Sequence, residues 1–359
     1  MSRAGVLRAL LVGLLLAVGG SAAAAAGNAT CTSAEKSQYQ SAAARYAKQV
    51  PKDRARYFKA HKSPKLRAAF VKKQQAKLKA LRARAACDDT PVPPPIDRNP
   101  APSPNETFTF GPGMSAASQQ LIEGDIAFAG EDEARLVGLS IAKVTIFAST
   151  DANWLATQQC GFYGYGGDCI SGTAAFYSSG NSAAQGGPGA VFLYWGASSW
   201  QAGAGDVQKI IAHELFHALQ YQTDHLNNAG STPFDQVRPT GPVWLDEGVP
   251  EMIAYRVADD RLLLSYSAVL NNQIAITKRI GTPLNQLERL SQTGIPNVYS
   301  LFALSVDHLA KTAPGGLASV AAYYRALGAG AAWPDAFKQA FGMSVADYYA
   351  NFAEFRSTL

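Results

Sequence analysis

Apolar and polar positions along this chain fall into successive regimes, and each regime predicts a different kind of structure. Residues 1–26 place Arg3 and Arg8 ahead of an apolar run from Leu10 to Val18 and a small-residue zone from Ala22 to Ala26. That order predicts a secretory signal peptide, with an apolar stretch too short for a membrane span. In residues 27–87, Tyr39, Ala43, Tyr46 and Val50, then Leu66, Phe70, Val71, Leu78 and Leu81, recur at helical spacing on either side of Pro51 and Pro64. A small helical hairpin is expected there. Residues 88–107, with Pro91, Pro93, Pro94, Pro95, Pro100, Pro102 and Pro104, lose the periodicity and predict a semi-extended linker.

Residues 108–359 carry two patterns in succession. Strand-like runs at Lys143–Ala148, Thr173–Tyr177 and Ala190–Trp195 alternate with glycine-rich turns and with a helix expected around Ser115–Ala129. From Asp206 the spacing is helical almost to the end. The fold class expected is α+β, a mixed sheet lobe followed by a helical lobe, within one domain.

Charge sharpens the division between the segments. Residues 31–87 hold 16 Lys and Arg against Glu35 and Asp53, a net of +14, so the remainder apart from the two leader arginines carries −11. The pI near 8.9 therefore hides a basic module joined to an acidic one. A polybasic helical surface suits an anionic cell-surface polymer, anionic lipid, a propeptide role or a plain solvated spacer; nucleic acid is disfavoured, since no aromatic platform is interleaved with the charge. The 4 cysteines, an even number behind an export signal, suggest two disulfides. Local pairs, Cys31–Cys87 and Cys160–Cys169, are favoured, and the absence of C-x-x-C argues against a thiolate metal site.

The chemistry is concentrated in His213-Glu214-Leu215-Phe216-His217, an H-E-x-x-H. On a helix, residues four apart lie one above the other on one face, so two imidazoles can reach a single zinc ion, and Glu214 beside them can take a proton from an attacking water. The flanks fit a helix: Val207, Ile210, Ile211, Leu215, Ala218 and Leu219 are apolar, with Asp206 as the expected N-cap. Only 5 histidines occur in 359 residues, which makes a chance match uncommon, but an ordinary buried helix remains possible until a third ligand is found. The metzincin extension fails, because Gln220 and Thr223 stand where it needs glycine and histidine.

Further along, Trp244-Leu245-Asp246-Glu247-Gly248 resembles the second ligand helix of the gluzincin metallopeptidases, in particular the aminopeptidase N and leukotriene A4 hydrolase clan. The resemblance makes His213, His217 and Glu247 the zinc ligands and Glu214 the general base, on a thermolysin-like fold. The thirty positions from His217 to Glu247 exceed that clan's spacing, and the loop formers between Asn227 and Pro242 leave room for the extra turn. Tyr299, in Asn297-Val298-Tyr299-Ser300-Leu301-Phe302, matches the clan's oxyanion-stabilising tyrosine, although Phe302 replaces its usual glycine. Glu251, one turn past Glu247, is a candidate to accept the free N–H of a ligand histidine. The clan's sheet-edge strand, which pairs with an extended substrate, falls by this resemblance at Gly189–Tyr194, while its amine-binding G-x-M-E-N is replaced by Gly186–Val191, with no acid. The resemblance spans about residues 140–359 and extends to the helical tail.

These readings converge on a secreted zinc peptidase, extracellular, periplasmic or cell-surface, acting on peptide or protein substrates and more an endopeptidase than an aminopeptidase. The competing expectation is a non-catalytic scaffold of peptidase fold, held at an anionic surface by the basic hairpin. No membrane span is expected in the mature chain.

Overall fold

The computed structural model describes residues 97–179, 183–201, 203–225 and 235–359, together with scattered positions between 46 and 75. The signal peptide expected at 1–26 and the pairing Cys31–Cys87 lie outside the described residues. The chain divides into two compact units, Met1–Pro95 and Ile96–Leu359.

In the first unit, residues 48–54 and 56–59 are helical, straight through Pro51, and so are residues 65–67 and 70–72. The two stretches meet: Tyr57 and Phe70 stack with ring centroids 3.9 Å apart, and Arg54 Nε donates to Gln74 Oε1 at 3.3 Å. Contacts between residues this far apart in sequence are those of a helical hairpin.

The second unit is α+β, with four strands and mostly helical structure. Its sheet has the order β1 (Glu106–Phe110), β2 (Val144–Ser149), β4 (Ala190–Tyr194), β3 (Ala184–Gly187). The first three are parallel and β3 pairs antiparallel to β4. Helix α1 (Ala116–Val137) links β1 to β2, as a parallel pair requires a long crossover. Ser115 caps it through its side chain, and Gly138, at φ 73°, ends it in the left-handed region that glycine enters without cost.

Several expectations are corrected here. The linker ends before residue 107: β1 starts at Glu106, and Arg98 Nε donates to the Asp260 carbonyl at 3.1 Å, so residues from 97 belong to the second unit. Alternating Thr107, Phe108, Thr109 and Phe110 outweigh the prolines before them. The expected strand at Thr173–Tyr177 is helical, part of α3 (Gly167–Ser178), which the Cys160–Cys169 disulfide ties to α2 (Ala152–Phe162). Its apolar run reflects Ala174 and Tyr177, which share the inner face of that helix at i, i+3. The strand at Gly189–Tyr194 is present as β4 but is internal, and β3 forms the edge.

Helix α4 (Ala204–Asp224) crosses beneath β3 and packs on α5 (Gly248–Asp260). It begins at Gly203 rather than at Asp206, which lies in its first turn, where a carboxylate favours the positive end of the helix dipole. A single helical turn, Val243–Asp246, precedes α5 and buries Trp244 completely. The Trp244 indole donates to Tyr349 Oη at 3.0 Å and stacks on Tyr348, so the C-terminal helix Val345–Ser357 holds this turn from behind. Helix α6 (Tyr266–Thr277) and helix α7 (Val298–Thr312) complete the packing around α5.

Candidate metal centre

Three donor atoms converge where α4, α5 and α7 meet the sheet edge. His213 Nε2 and His217 Nε2 lie 3.2 Å apart, and Glu247 Oε2 lies 3.6 Å from the first and 3.4 Å from the second. The i, i+4 spacing on α4 brings the imidazoles together, as the sequence pattern requires. Glu247 arrives by a different route. It sits at the junction of the Val243–Asp246 turn and α5, held by Glu247 N–H donating to the Val243 carbonyl at 2.9 Å.

The donor set fits a small divalent ion. A tetrahedral ion with nitrogen and oxygen ligands at about 2.1 Å needs its donors about 3.4 Å apart, and the three edges found bracket that value. His213, His217 and Glu247 are the one group of metal-competent side chains that converges this way among the described residues. All three are nearly buried, with 7%, 8% and 9% of their surface exposed. Electrostatics agrees with the geometry. Burial draws the His213 pKa down, yet Glu247 and Glu251 outweigh it and push it up to about 9. His217 moves the same way, against burial, chiefly through Glu247. The site thus stabilises positive charge beside the imidazoles, which a divalent cation supplies while leaving them neutral donors.

Each ligand is oriented from behind. His213 Nδ1 lies 3.0 Å from Glu251 Oε2, slightly out of line for a well-directed hydrogen bond, and Lys209 Nζ lies 2.6 Å from the same oxygen. Burial would raise the Glu251 pKa, but Lys209 and then His213 hold it down at about 2. Glu251 is therefore a buried carboxylate behind a ligand, as its position one turn past Glu247 suggested.

Two supporting residues escaped sequence reasoning. Gln220 Oε1 lies 2.7 Å from His217 Nδ1, while its Nε2 donates to the Asp246 carbonyl at 3.1 Å and to Tyr324 Oη. With the amide nitrogen so committed, the oxygen faces the ring, so a neutral His217 has its proton on Nδ1 and its Nε2 lone pair available to a metal. The i, i+3 spacing from His217 was the signal available. Arg238 pairs with Asp246 and lies 3.6 Å from Glu247 Oε1, the oxygen turned away from the histidines. Nothing local in its loop sequence indicated this.

Glu214 and Tyr299 complete the cluster. Glu214 Oε2 accepts from the Gly186 N–H at 2.5 Å, which ties its carboxylate to the edge strand. The approach is so close that a Cβ on Gly186 would lie 2.0 Å from the Glu214 carbonyl oxygen, so only glycine fits. Tyr299 Oη donates to Glu247 Oε2 at 3.2 Å. Desolvation and then Glu247 hold its pKa above the usual phenol range, so it remains a donor. Where the resemblance expected a glycine, Phe302 is fully buried, and the close approach is made from the other side: a Cβ on Gly248 would lie 2.8 Å from the Phe302 carbonyl oxygen.

The cluster lines a cleft of about 440 Å³ between β3 and the helices. Ala183 accepts from Tyr194 N–H at 2.8 Å, so in the antiparallel alternation Ala184 and Gly186 face outward, into this cleft. The carboxylates lining it are Glu214, Glu247 and Glu251. No protein-family model, curated protein or solved structure matches this chain.

Proposed function

We propose that this chain is a zinc-dependent peptidase of the gluzincin kind, acting outside the cytoplasm and cleaving within peptide chains. The observation that carries the reading is the joint placement of a two-imidazole, one-carboxylate donor set and the Glu214 carboxylate on one sheet edge. That donor set is the one a catalytic zinc uses with its fourth position open. Zinc held there would act as a Lewis acid, lowering the pKa of a water and polarising a carbonyl.

The protein's own groups divide the remaining work. An extended peptide lying in the cleft beside β3 would bring one of its carbonyls over the donor set. Glu214, already at the strand edge, takes the proton from the attacking water and returns it to the departing amine. Tyr299, a phenol kept protonated next to Glu247, turns its donated hydrogen bond to the oxyanion as charge develops there. Glu251 and Gln220 hold the imidazoles in the tautomer that donates a lone pair through Nε2. The cleft favours internal cleavage: of its carboxylates among the described residues, Glu247 serves the metal, Glu214 proton transfer and Glu251 the back of His213, leaving none there to hold a free amine.

Metal analysis and hydrolysis of a casein-type substrate test the proposal. One zinc per chain is expected, with activity lost on chelation and restored by zinc. Glu214→Gln should keep the metal and lose on the order of a thousandfold in turnover. Full activity in that variant, or hydrolysis indifferent to chelation, would overturn the reading.

A further inference from the structure

The basic hairpin carries a feature that the cleft does not use. Lys48, Lys52, Arg56 and Lys59 are all exposed and follow one another at i, i+4, i+8 and i+11. That spacing puts them in one stripe along the helix, with neighbouring charges about 6 Å apart and a span of about 16 Å. Like charges at these intervals destabilise a helix by a few tenths of a kcal/mol per pair. None of the four has an ion-pair partner among the described residues, and Asp53 instead accepts from Gln49 Nε2 at 2.8 Å. The opposite side of the helix is occupied: Tyr57 stacks on Phe70, and the half-buried Val50 accepts from Gln74 Nε2 at its carbonyl at 3.5 Å.

We propose that this stripe is a docking surface for a linear phosphodiester polymer of the cell surface, which would hold the enzyme there. The charge is repeated, regularly spaced and uncompensated among the described residues, which suits a flexible chain with one anion every few ångströms. A bilayer fits less well, because among the described residues of this helix no large apolar side chain is exposed beside the stripe to insert into it. Nucleic acid fits less well too, since Tyr57 and Phe70 each give one ring face to the other and lie on the side of the helix away from the stripe.

The test uses the full mature chain and poly(glycerol phosphate) as the probe, with binding measured against salt concentration. Replacing the stripe by Lys48→Gln, Lys52→Gln, Arg56→Gln and Lys59→Gln should weaken binding at least tenfold. It should also lower the slope of log affinity against log salt by about 3, four contacts at about 0.7 each. Peptidase rate should not change. A control variant, Lys143→Gln, Lys278→Gln, Arg279→Gln and Lys338→Gln, removes four exposed charges from the second unit and should bind as the parent does. Should the quadruple stripe variant fail to fold by circular dichroism, the pairs Lys48→Gln with Lys52→Gln and Arg56→Gln with Lys59→Gln should each lose about half the slope. An unchanged slope, an equal loss in the control, or tighter binding of the parent to phosphatidylglycerol vesicles or single-stranded DNA than to the polymer would each overturn the proposal. So would a peptidase rate that rises sharply in the stripe variant, which would mean that the hairpin docks on the acidic unit as an inhibitor.

Discussion

Gln220 offers the most direct test of how the proposed metal centre is built, because it lies behind His217 and decides what that imidazole can do. Its side chain is 2% exposed and joins three partners: His217 Nδ1 at 2.7 Å, the Asp246 carbonyl at 3.1 Å and Tyr324 Oη. Gln220→Leu keeps the approximate volume and removes all three bonds. The His217 Nδ1–H and the Asp246 carbonyl then remain buried without partners, and each orphaned group costs about 1–3 kcal/mol. Relaxation should recover part of this, so a loss of about 2–4 kcal/mol in metal-free stability is expected. The second effect is on the metal. Without an acceptor at Nδ1 the imidazole is free to shift its proton to Nε2, and loss of such outer partners costs 10- to 100-fold in metal affinity, or about 1.4–2.7 kcal/mol. Zinc competition against a chromophoric chelator measures the second quantity, and denaturant unfolding of the metal-free chain the first. Gln220→Glu separates them: it keeps an acceptor for Nδ1 but loses both donors, so affinity should largely survive while stability still falls. A folded Gln220→Leu protein that binds zinc within twofold of the parent would refute the reasoning.

Gly186→Ala places a methyl group 2.0 Å from the Glu214 carbonyl oxygen, so the edge strand and α4 must separate by about 1 Å; a fall in turnover of about a hundredfold with zinc retained is expected, and unchanged turnover would show that the strand yields freely. Tyr299→Phe should cost tens- to hundreds-fold in kcat at similar KM, because in the proposed mechanism the oxyanion loses a donor that the ground state does not use; a change confined to KM would assign Tyr299 to substrate binding instead. Asp132 concerns stability rather than catalysis. Burial, and then Asp260 across the shared Arg135, push its pKa up to about 7 from an ordinary 3.8, so its contribution is fully present below about pH 4 and is lost as pH rises through 7. Asp132→Asn removes that loss, on the order of 2–4 kcal/mol, so the drop in melting temperature between pH 5 and pH 8 should shrink; an unaltered drop would refute the assignment.

Much of the candidate site was legible along the chain because its signals are local. Residues four apart on a helix must share a face, so His213 and His217 were bound to converge, and Glu214 and Glu251 were placed by the same geometry relative to their neighbours. The helical second half, β2, β4 and the Cys160–Cys169 pair followed from periodicity and spacing. What depended on distant segments did not follow. Which strand forms the edge was misplaced, because β4 is internal only once β3 folds back along it, and the glycines of Ala184–Gly187 carry almost no side-chain pattern to announce a strand. The helix at Gly167–Ser178 read as a strand from four or five residues, too few for period alone to separate the two. Glu247 was nominated by a motif, but its distance from the histidines is set by the burial of Trp244 against the C-terminal helix, more than a hundred residues away. Gln220 and Arg238 gained their roles only when Asp246 was brought between them. Local spacing determines which face a side chain occupies; only the tertiary fold determines what stands opposite that face, since long-range packing chooses the partners that leave buried polar groups satisfied.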